Sequence, residues 1–387
     1  MLHTSLTHCL FLISLLLPLA LPAGAQTRFA FDDVYHCVDT SRSDGDLLLR
    51  VSDVNFFKND EYFNDYIEGY TLIGYRIAPS LVYYLRNNVS VEAGAQFLQY
   101  GGTDKYDHVF PFASVQWQIN RTWNITMGSL NGHIAHGLPE PMWEPERQLT
   151  DKPETGLQVK VRRPHLNGEV WLNWQQFIKT NDTIPEKFTF GLALDVSPTA
   201  TDASWSLSIP VRLLVSHVGG QISNYSQRMQ SLANGSLSIL FGHLWHNSFA
   251  QHLYVDIEGQ FFHAMVDGDV RPFSDGHALY PKLCFDARLF SAHAGFWYAK
   301  NFFSLYGNPA FMSLSNYNDD VYSKKRQLLT FGADFNYALS SCIRFSIGGK
   351  AYFDTAASQF DYSYQAHLVV TPQWRLTNAK LNLNNAR

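Results

Sequence analysis

The chain has 387 residues, of which 46% are hydrophobic, 15% are aromatic and only 16% are charged, with a formal net charge of -5. The charges form no basic stripe, so nucleic acid is not an expected partner. Beyond the first residues no apolar run reaches the length of a transmembrane helix, so any membrane role must use strands.

The amino-terminal segment predicts export. An apolar run covers residues 9–21 and is followed by Pro22, Ala23, Gly24 and Ala25. Small residues at positions 23 and 25 are typical of a signal-peptidase site, although Lys and Arg are missing before the apolar run. A transmembrane anchor is the alternative, but the run is shorter than the roughly 20 residues that a helix needs. We predict a signal peptide at 1–25 and a short periplasmic segment at 26–45.

Apolar and polar side chains alternate from residue 46 to residue 376. In the segment 205–217, for example, Leu213 lies on the apolar face and Arg212 on the polar face, and Phe345 and Arg344 repeat that pair later. Such period-two alternation is typical of strands with one apolar face. A soluble sandwich also alternates, but many runs here last ten residues or more, the length of transmembrane strands.

The connections between these runs alternate between short and long. Short ones include 120–121 and 340–341, whereas long ones include 58–66, 132–153 and 304–324. Short periplasmic turns and longer external loops are the arrangement of outer-membrane barrels. We therefore predict an all-β fold, a transmembrane antiparallel up-and-down β-barrel of about 16 strands over 46–376. Fourteen strands is the fallback, and a polar tail follows at 377–387.

Aromatic side chains on the apolar faces fall at two levels, as expected for rings at the two membrane interfaces. The residues near the short turns are Trp117, Trp123, Trp205, Tyr337 and Trp374, and those near the long loops are Phe57, Phe97, Trp174, Phe261 and Phe353. The predicted location is the outer membrane of a Gram-negative bacterium.

The polar faces carry charges of both signs, which should face the lumen because charge is costly in lipid. Sixteen strands leave an aqueous interior, which predicts a pore; the alternative is a closed barrel in which the charges pair. The segment 132–153, with four prolines, either folds into the lumen or stays at the surface. The candidate pore-lining residues are Glu140, Glu144, Glu146, Arg147, Arg162, Arg212, Arg344 and Lys350.

The sequence gives only a weak signal for metal binding or for catalysis. The pairs His133/His136 and His243/His246 have metal-type spacing but fall on loop and strand, so we expect no metal site and no cofactor. A hydrolase at the outer rim would need a nucleophile, or a carboxylate pair with a histidine. Rim residues of those types, without a GxSxG-type motif, are Ser216, His217, His263, Asp267 and Asp269. We assign no catalytic residue and expect no enzyme.

The cysteines that follow the predicted signal peptide are Cys37, Cys284 and Cys342. Their number is odd and they show neither CxxC nor metal-type spacing. The sequence therefore favours free thiols over a disulfide framework.

Two segments carry a resemblance to a known group of proteins. Residues 59–72, reading NDEYFNDYIEGYTL, and residues 145–154, reading PERQLTDKPE, resemble uncharacterised porin-like outer-membrane β-barrel proteins of Bacteroides and related bacteria. The resemblance implies a single barrel in the outer membrane. It implies neither a substrate nor catalytic residues.

We therefore predict a porin-like barrel that passes or binds small solutes. One alternative is a barrel hydrolase that acts on lipid or peptide at the outer rim. Another is a structural or secretion-associated barrel with a closed lumen. The expected partners are outer-membrane lipid, small solutes and the barrel assembly machinery.

Overall fold

The computed structural model describes residues 37–130, 135–200, 203–226, 228–246, 248–266, 271–318 and 320–379. The predicted signal peptide at 1–25, part of the predicted periplasmic segment and the end of the polar tail lie outside them. Seventeen hydrogen-bonded segments form one sheet, and the last two belong to a single strand that Thr371 and Pro372 interrupt. The result is sixteen antiparallel strands, as predicted.

Each strand pairs with the next along the chain, and β1 pairs with both β2 and β16, which closes the barrel. The strands are β1 (Asp46–Glu61), β2 (Thr71–Arg86), β3 (Val89–Tyr100), β4 (His108–Gln118), β5 (Trp123–Ser129), β6 (Thr155–Arg163), β7 (Leu166–Gln176), β8 (Glu186–Val196), β9 (Trp205–Gly219), β10 (Gln230–Leu244), β11 (Ala250–Ala264), β12 (Asp275–Ala287), β13 (Phe290–Lys300), β14 (Lys325–Ser340), β15 (Ile343–Asp354) and β16 (Gln359–Val370, resuming as Gln373–Asn378). The first strand extends past Phe57, so the first loop is 62–70 rather than 58–66.

The two faces of the wall follow the alternation in the sequence. Arg212 is buried inside the barrel, whereas Leu237 and Phe241 on the neighbouring strand are 54% and 55% exposed on the outside. Trp117 and Trp205 also lie on the outer surface, near the end with the short turns. This end is called the short-turn end below, and the opposite one the long-loop end.

Two long loops fold into the lumen at the long-loop end. Loop 3 (residues 130–154) contains a 3-10 turn, Ala135–Gly137, and a single-turn helix, α1 (Arg147–Thr150), and loop 7 (residues 301–324) contains the 3-10 turn Pro309–Phe311. No helix among the described residues is long and apolar enough to cross a membrane. Loop 7 buries Phe302 and Phe311 against Trp297 of the wall. Burying each such side chain stabilises the fold by about 1.5–3 kcal/mol.

Loops 3 and 7 cross inside the barrel. The amide of Glu144 donates to the carbonyl of Tyr306 at 2.7 Å, and the amide of Asn308 donates to that of Glu140 at 3.1 Å. At the crossing, a Cβ on Gly307 would lie 1.9 Å from the carbonyl oxygen of Pro141. Only glycine allows this approach, so the crossing depends on that residue.

Among the described cysteines, Cys284 and Cys342 are free thiols. The sulfur of Cys37 accepts a hydrogen bond from Arg162 at 3.3 Å.

Candidate functional site

The first part of loop 3 is held by a fully buried imidazole. His136 donates from Nε2 to Glu154 Oε2 at 2.6 Å and from Nδ1 to Glu169 Oε1 at 2.7 Å, and its ring stacks on Trp171 at 3.8 Å. Burial lowers the pKa of His136, but the charges of Glu169 and Glu154 outweigh it and raise the pKa to about 9. The imidazolium therefore persists at neutral pH and fixes the loop to β7.

A second anchor holds the middle of loop 3 to the opposite wall. Glu140 accepts hydrogen bonds from Tyr352 at 2.6 Å and Asn308 at 2.9 Å, and pairs with Lys350 at 2.9 Å. Burial raises the pKa of Glu140, but Lys350 and the hydrogen bonds overcome that effect and lower it to about 2. Glu140 is thus an ionised structural anchor between loops 3 and 7 and β15.

The third contact brings the end of loop 3 against β1. The Lys58 ammonium lies 2.5 Å from Asp60 Oδ2 and 2.5 Å from Glu146 Oε2. The Tyr70 hydroxyl, from the loop after β1, donates to the other oxygen of Glu146. Asp60 Oδ1 is buried and has no hydrogen-bond partner among the described residues. This group, Lys58, Asp60, Tyr70, Glu144 and Glu146, is called the β1 cluster below.

Glu144 differs from the other members of the β1 cluster. Its carboxylate has no ion pair or side-chain hydrogen bond within the described residues, and it is half-buried rather than sealed. Burial raises its pKa; Lys58 opposes this, but Glu146, Glu140 and Asp60 add to it, and the pKa reaches about 7. Glu144 therefore exchanges a proton near neutral pH.

The β1 cluster has the parts of a general-base hydrolytic site. A carboxyl group with a pKa near 7 can take a proton from water and return it. An ammonium group beside it can stabilise the negative charge that develops on a carbonyl oxygen. Within the described residues, no serine or histidine side chain forms a hydrogen bond or ion pair with the cluster, so the arrangement favours direct attack by water.

The predicted pore-lining residues divide into two groups. Glu140, Glu144, Glu146 and Lys350 meet around the crossing of loops 3 and 7. The wall cations that pair with these glutamates are Lys58, with Glu146, and Lys350, with Glu140, rather than Arg162, Arg212 or Arg344. Whether any of them lines a pore stays a prediction.

The four arginines have other contacts. Arg147 stacks on Trp143 and Tyr306, with its guanidinium carbon 5.0 and 4.5 Å from the ring centres. Arg212 donates to the Gly137 carbonyl at 2.7 Å and so holds loop 3 as well. Arg162 contacts Cys37 near the short-turn end, and Arg344 lies one residue into β15, at the same end.

Sequence reasoning missed three members of the cluster, Lys58, Asp60 and Tyr70. A signal was present, because the segment 59–72, which contains Asp60 and Tyr70, is one of the two segments that carry the resemblance to porin-like barrel proteins. Lys58 and Asp60 are alternate residues of β1 and so share its inner face. The fold alone determines that Glu146 lies opposite them.

The rim and metal candidates remain separate from this cluster. His217 and Ser231 lie 2.9 Å apart, and His263 and Asp275 2.7 Å apart, at the long-loop end of the wall. Asp267, Asp269 and His133 fall outside the described residues. Within the described ranges, no three His, Cys, Asp or Glu side chains are arranged to hold a metal ion.

Comparison with known proteins identifies a family. Residues 38–379 match the sequence profile of the family described as Lipid A 3'-O-deacylase-type. The matched segment contains all sixteen strands and the β1 cluster. No curated protein matches the chain.

Solved structures with a similar fold are outer-membrane proteins. The first, OprD from Pseudomonas aeruginosa, has a TM-score of 0.52 at 10% identity and covers 88% of this chain and 98% of its own. OccAB4 from Acinetobacter baumannii gives 0.48 at 10% identity, covering 87% and 100%. At such identities the likeness concerns the fold alone. The predicted kinship with Bacteroides proteins stays a prediction.

Proposed function

Because this chain belongs to the Lipid A 3'-O-deacylase-type family, we propose that it is an outer-membrane hydrolase that cleaves a fatty-acyl ester of lipid A. The expectation that the chain is not an enzyme is wrong, since the family to which it belongs is described by an enzymatic activity. The alternative of a barrel hydrolase, which the sequence left open, becomes the leading one. The β1 cluster, inside the mouth of the barrel, is the proposed site.

The proposed location follows from the outer surface of the barrel. Large apolar side chains, such as Leu237 and Phe241, form an exposed band around the outside of the wall. Contact of such a band with water is unfavourable, whereas contact with lipid is not. In the outer membrane the long loops would face outward. The β1 cluster would then lie near the outer leaflet, which contains lipid A.

The proposed reaction is hydrolysis by a water molecule that Glu144 activates. The ionised carboxylate takes a proton as the water oxygen attacks the ester carbonyl. Lys58, held by Asp60 and Glu146, stabilises the oxyanion, and the Tyr70 hydroxyl keeps the Glu146 carboxylate in place by donating to it. Glu144 then returns the proton to the departing sugar oxygen, which leaves an alcohol and a fatty acid. The observation that carries this proposal is the half-buried Glu144 carboxyl, which has no ion pair within the described residues and a pKa of about 7.

The surroundings of the cluster suit an amphiphilic substrate. Phe63 and Tyr70, in the loop after β1, are 61% and 47% exposed beside the site. Aromatic rings at that position offer an apolar surface for an acyl chain. The polar cluster just inside offers partners for the ester.

The direct test is fatty-acid release from lipid A by the purified full-length protein in detergent, measured by mass spectrometry. We expect the wild type to release fatty acid and Glu144→Gln to be slowed by roughly 100-fold or more. Tyr70→Phe should be slowed less. Glu68→Gln, which neutralises an exposed carboxylate in the same loop, is the matched control.

Two results would contradict the proposal. One is a wild-type protein that folds, as judged by faster gel migration before boiling, but releases no fatty acid. The other is a Glu144→Gln variant that is as active as the wild type.

Solute passage is the second candidate, favoured by the charged inner wall and by a fold shared with porins. Stepwise conductance in a planar bilayer would support it. Deleting residues 132–153 should raise that conductance if loop 3 narrows the lumen. Absence of any conductance would remove this candidate without affecting the hydrolase proposal.

A further inference from the structure

The outer surface of the barrel has a polar pocket that shares no residue with the β1 cluster. The pocket has a volume of ≈ 360 Å³ and lies at the long-loop end of β11, β12 and β13. Its polar lining comprises His263, Asp275, His277, Lys300 and Asn301. His277 is on the outer face of β12, since it alternates with buried Gly276 and Ala278. The pocket therefore opens to the surroundings of the barrel and not to the lumen.

Lys300 lines this pocket, and Lys325 of the neighbouring strand lies beside it. Lys300 is directly opposite His277 on one side and directly opposite Lys325 of β14 on the other. Neither lysine forms an ion pair with another described residue. Like charges directly opposite each other in a sheet are destabilising. An anion bound between the two ammonium groups would remove that repulsion.

The one carboxylate in the pocket is already engaged. Asp275 accepts from Ser274 at 2.7 Å, and His263 lies 2.7 Å from its other oxygen. Because Asp275 is used locally, no carboxylate among the described residues neutralises the two lysines.

The position of the pocket along the wall indicates what kind of anion would reach it. Toward the short-turn end, Leu279 is the first outward residue after His277 and Leu329 is the second after Lys325; they are 48% and 38% exposed. The lysines thus lie at the boundary between the apolar band and the long loops, where lipid headgroups meet a barrel wall. At the same end of β2 and β3 the outward residues are neutral, Thr71 and Gln99, so the cationic patch is local.

We propose that this pocket binds a phosphate group of an outer-leaflet glycolipid of the lipid A type. A phosphate monoester carries close to two negative charges at neutral pH and would bridge Lys300 and Lys325. The acyl chains of the same molecule would lie along Leu279 and Leu329. The inference rests on the proposed outer-membrane location but not on hydrolysis, because the pocket is on the outer face of strands several positions away from β1.

The test is lipid binding by the full-length protein in detergent, measured by native mass spectrometry. The probes are bisphosphorylated lipid A, lipid A without phosphate groups, and inorganic phosphate. The wild type should bind the bisphosphorylated form more tightly than the form without phosphate. The double variant Lys300→Gln/Lys325→Gln should bind it roughly tenfold to thirtyfold less tightly.

Lys105→Gln is the matched control, because it removes an exposed lysine from another loop at the long-loop end. It should leave the affinity unchanged, and raised salt should weaken wild-type binding more than that of the double variant. Equal affinity of wild type and double variant for bisphosphorylated lipid A would overturn the proposal. Inorganic phosphate that binds as tightly as the lipid would overturn its assignment to a lipid headgroup. Fatty-acid release, measured on the same samples, reports separately on the hydrolase proposal.

Discussion

The two ends of loop 3 use their ionisable side chains in opposite ways. At one end His136 is fully buried, and both of its ring nitrogens are bonded to carboxylates. At the other end Glu144 is half-buried among carboxylates and has no ion pair within the described part of the chain. The same loop therefore separates the group that holds it in the lumen from the group that is available for chemistry.

The largest expected effect is on the reaction at the Glu144 end. Glu144→Gln should reduce fatty-acid release by roughly 100-fold to 10,000-fold, since it removes the proposed general base. The same change should not weaken the fold. The pKa of Glu144 is raised on folding, so its contribution to stability falls as pH rises from about 4.5 to about 7.

The effect of Glu144→Gln on stability can be measured on the same protein as its effect on hydrolysis. The temperature at which the folded gel band disappears should match the wild type at pH 5 and be equal or higher at pH 8. A variant that is less stable than the wild type at pH 8 would mean that Glu144 is a structural group like His136.

The next largest effect is on stability, at the His136 end. His136→Gln leaves Glu154 and Glu169 without their shared cation, and breaking a buried ion pair in this way costs about 3–5 kcal/mol. We expect faster proteolytic cleavage of loop 3 and a lower unfolding temperature. His165→Gln, at an exposed turn residue, is the control. Unchanged cleavage would show that loop 3 is held mainly by Glu140 and loop 7.

A smaller difference should appear in the pH dependence of the two ends. Hydrolysis should rise as pH passes through about 7, where Glu144 ionises. The contribution of His136 to stability, complete below about pH 6.5, should be lost as pH rises through about 9, where the imidazolium deprotonates. Rates and loop cleavage measured from pH 5 to pH 10 would separate the two steps. One shared transition would contradict the separation.

The smallest expected effect concerns ions in the lumen. At a pH above 7, where Glu144 is ionised, replacing Glu140, Glu144 and Glu146 with glutamine removes three negative charges beside Lys58 and Lys350. If the barrel conducts, its selectivity should shift toward anions, as judged by reversal potential in a planar bilayer with a salt gradient. An unchanged potential would place the conducting path away from the end of loop 3.

The wall of the barrel was predictable because its rule is local. Alternation places Arg212 inside and Leu213 outside from neighbouring residues alone, and the structure agrees. The partners of loop 3 were not predictable in this way. That Glu140 meets Lys350, more than two hundred residues later in the chain, depends on which strands face each other across the lumen.

The apolar residues of loop 7 are a clearer sequence signal that this loop is buried. Phe302, Phe303, Leu305, Phe311 and Met312 lie in a connection that should be polar if it were a surface loop. So many apolar side chains must be buried, and in this fold they are buried in the lumen. The proposed enzymatic activity had no comparable local signal, because the β1 cluster joins residues from β1, the following loop and loop 3.

The crossing at Gly307 and Pro141 also bears on the order of folding. Loop 3 and loop 7 come from opposite halves of the chain, and they contact each other in a space that the closed wall surrounds. The loops must therefore reach each other late, when both halves of the barrel are in place. During unfolding, the contact between loops 3 and 7 continues to stabilise the wall until the loops leave the lumen. We expect unfolding to be slow relative to equilibrium stability, with a lifetime that falls sharply when residue 307 carries a side chain.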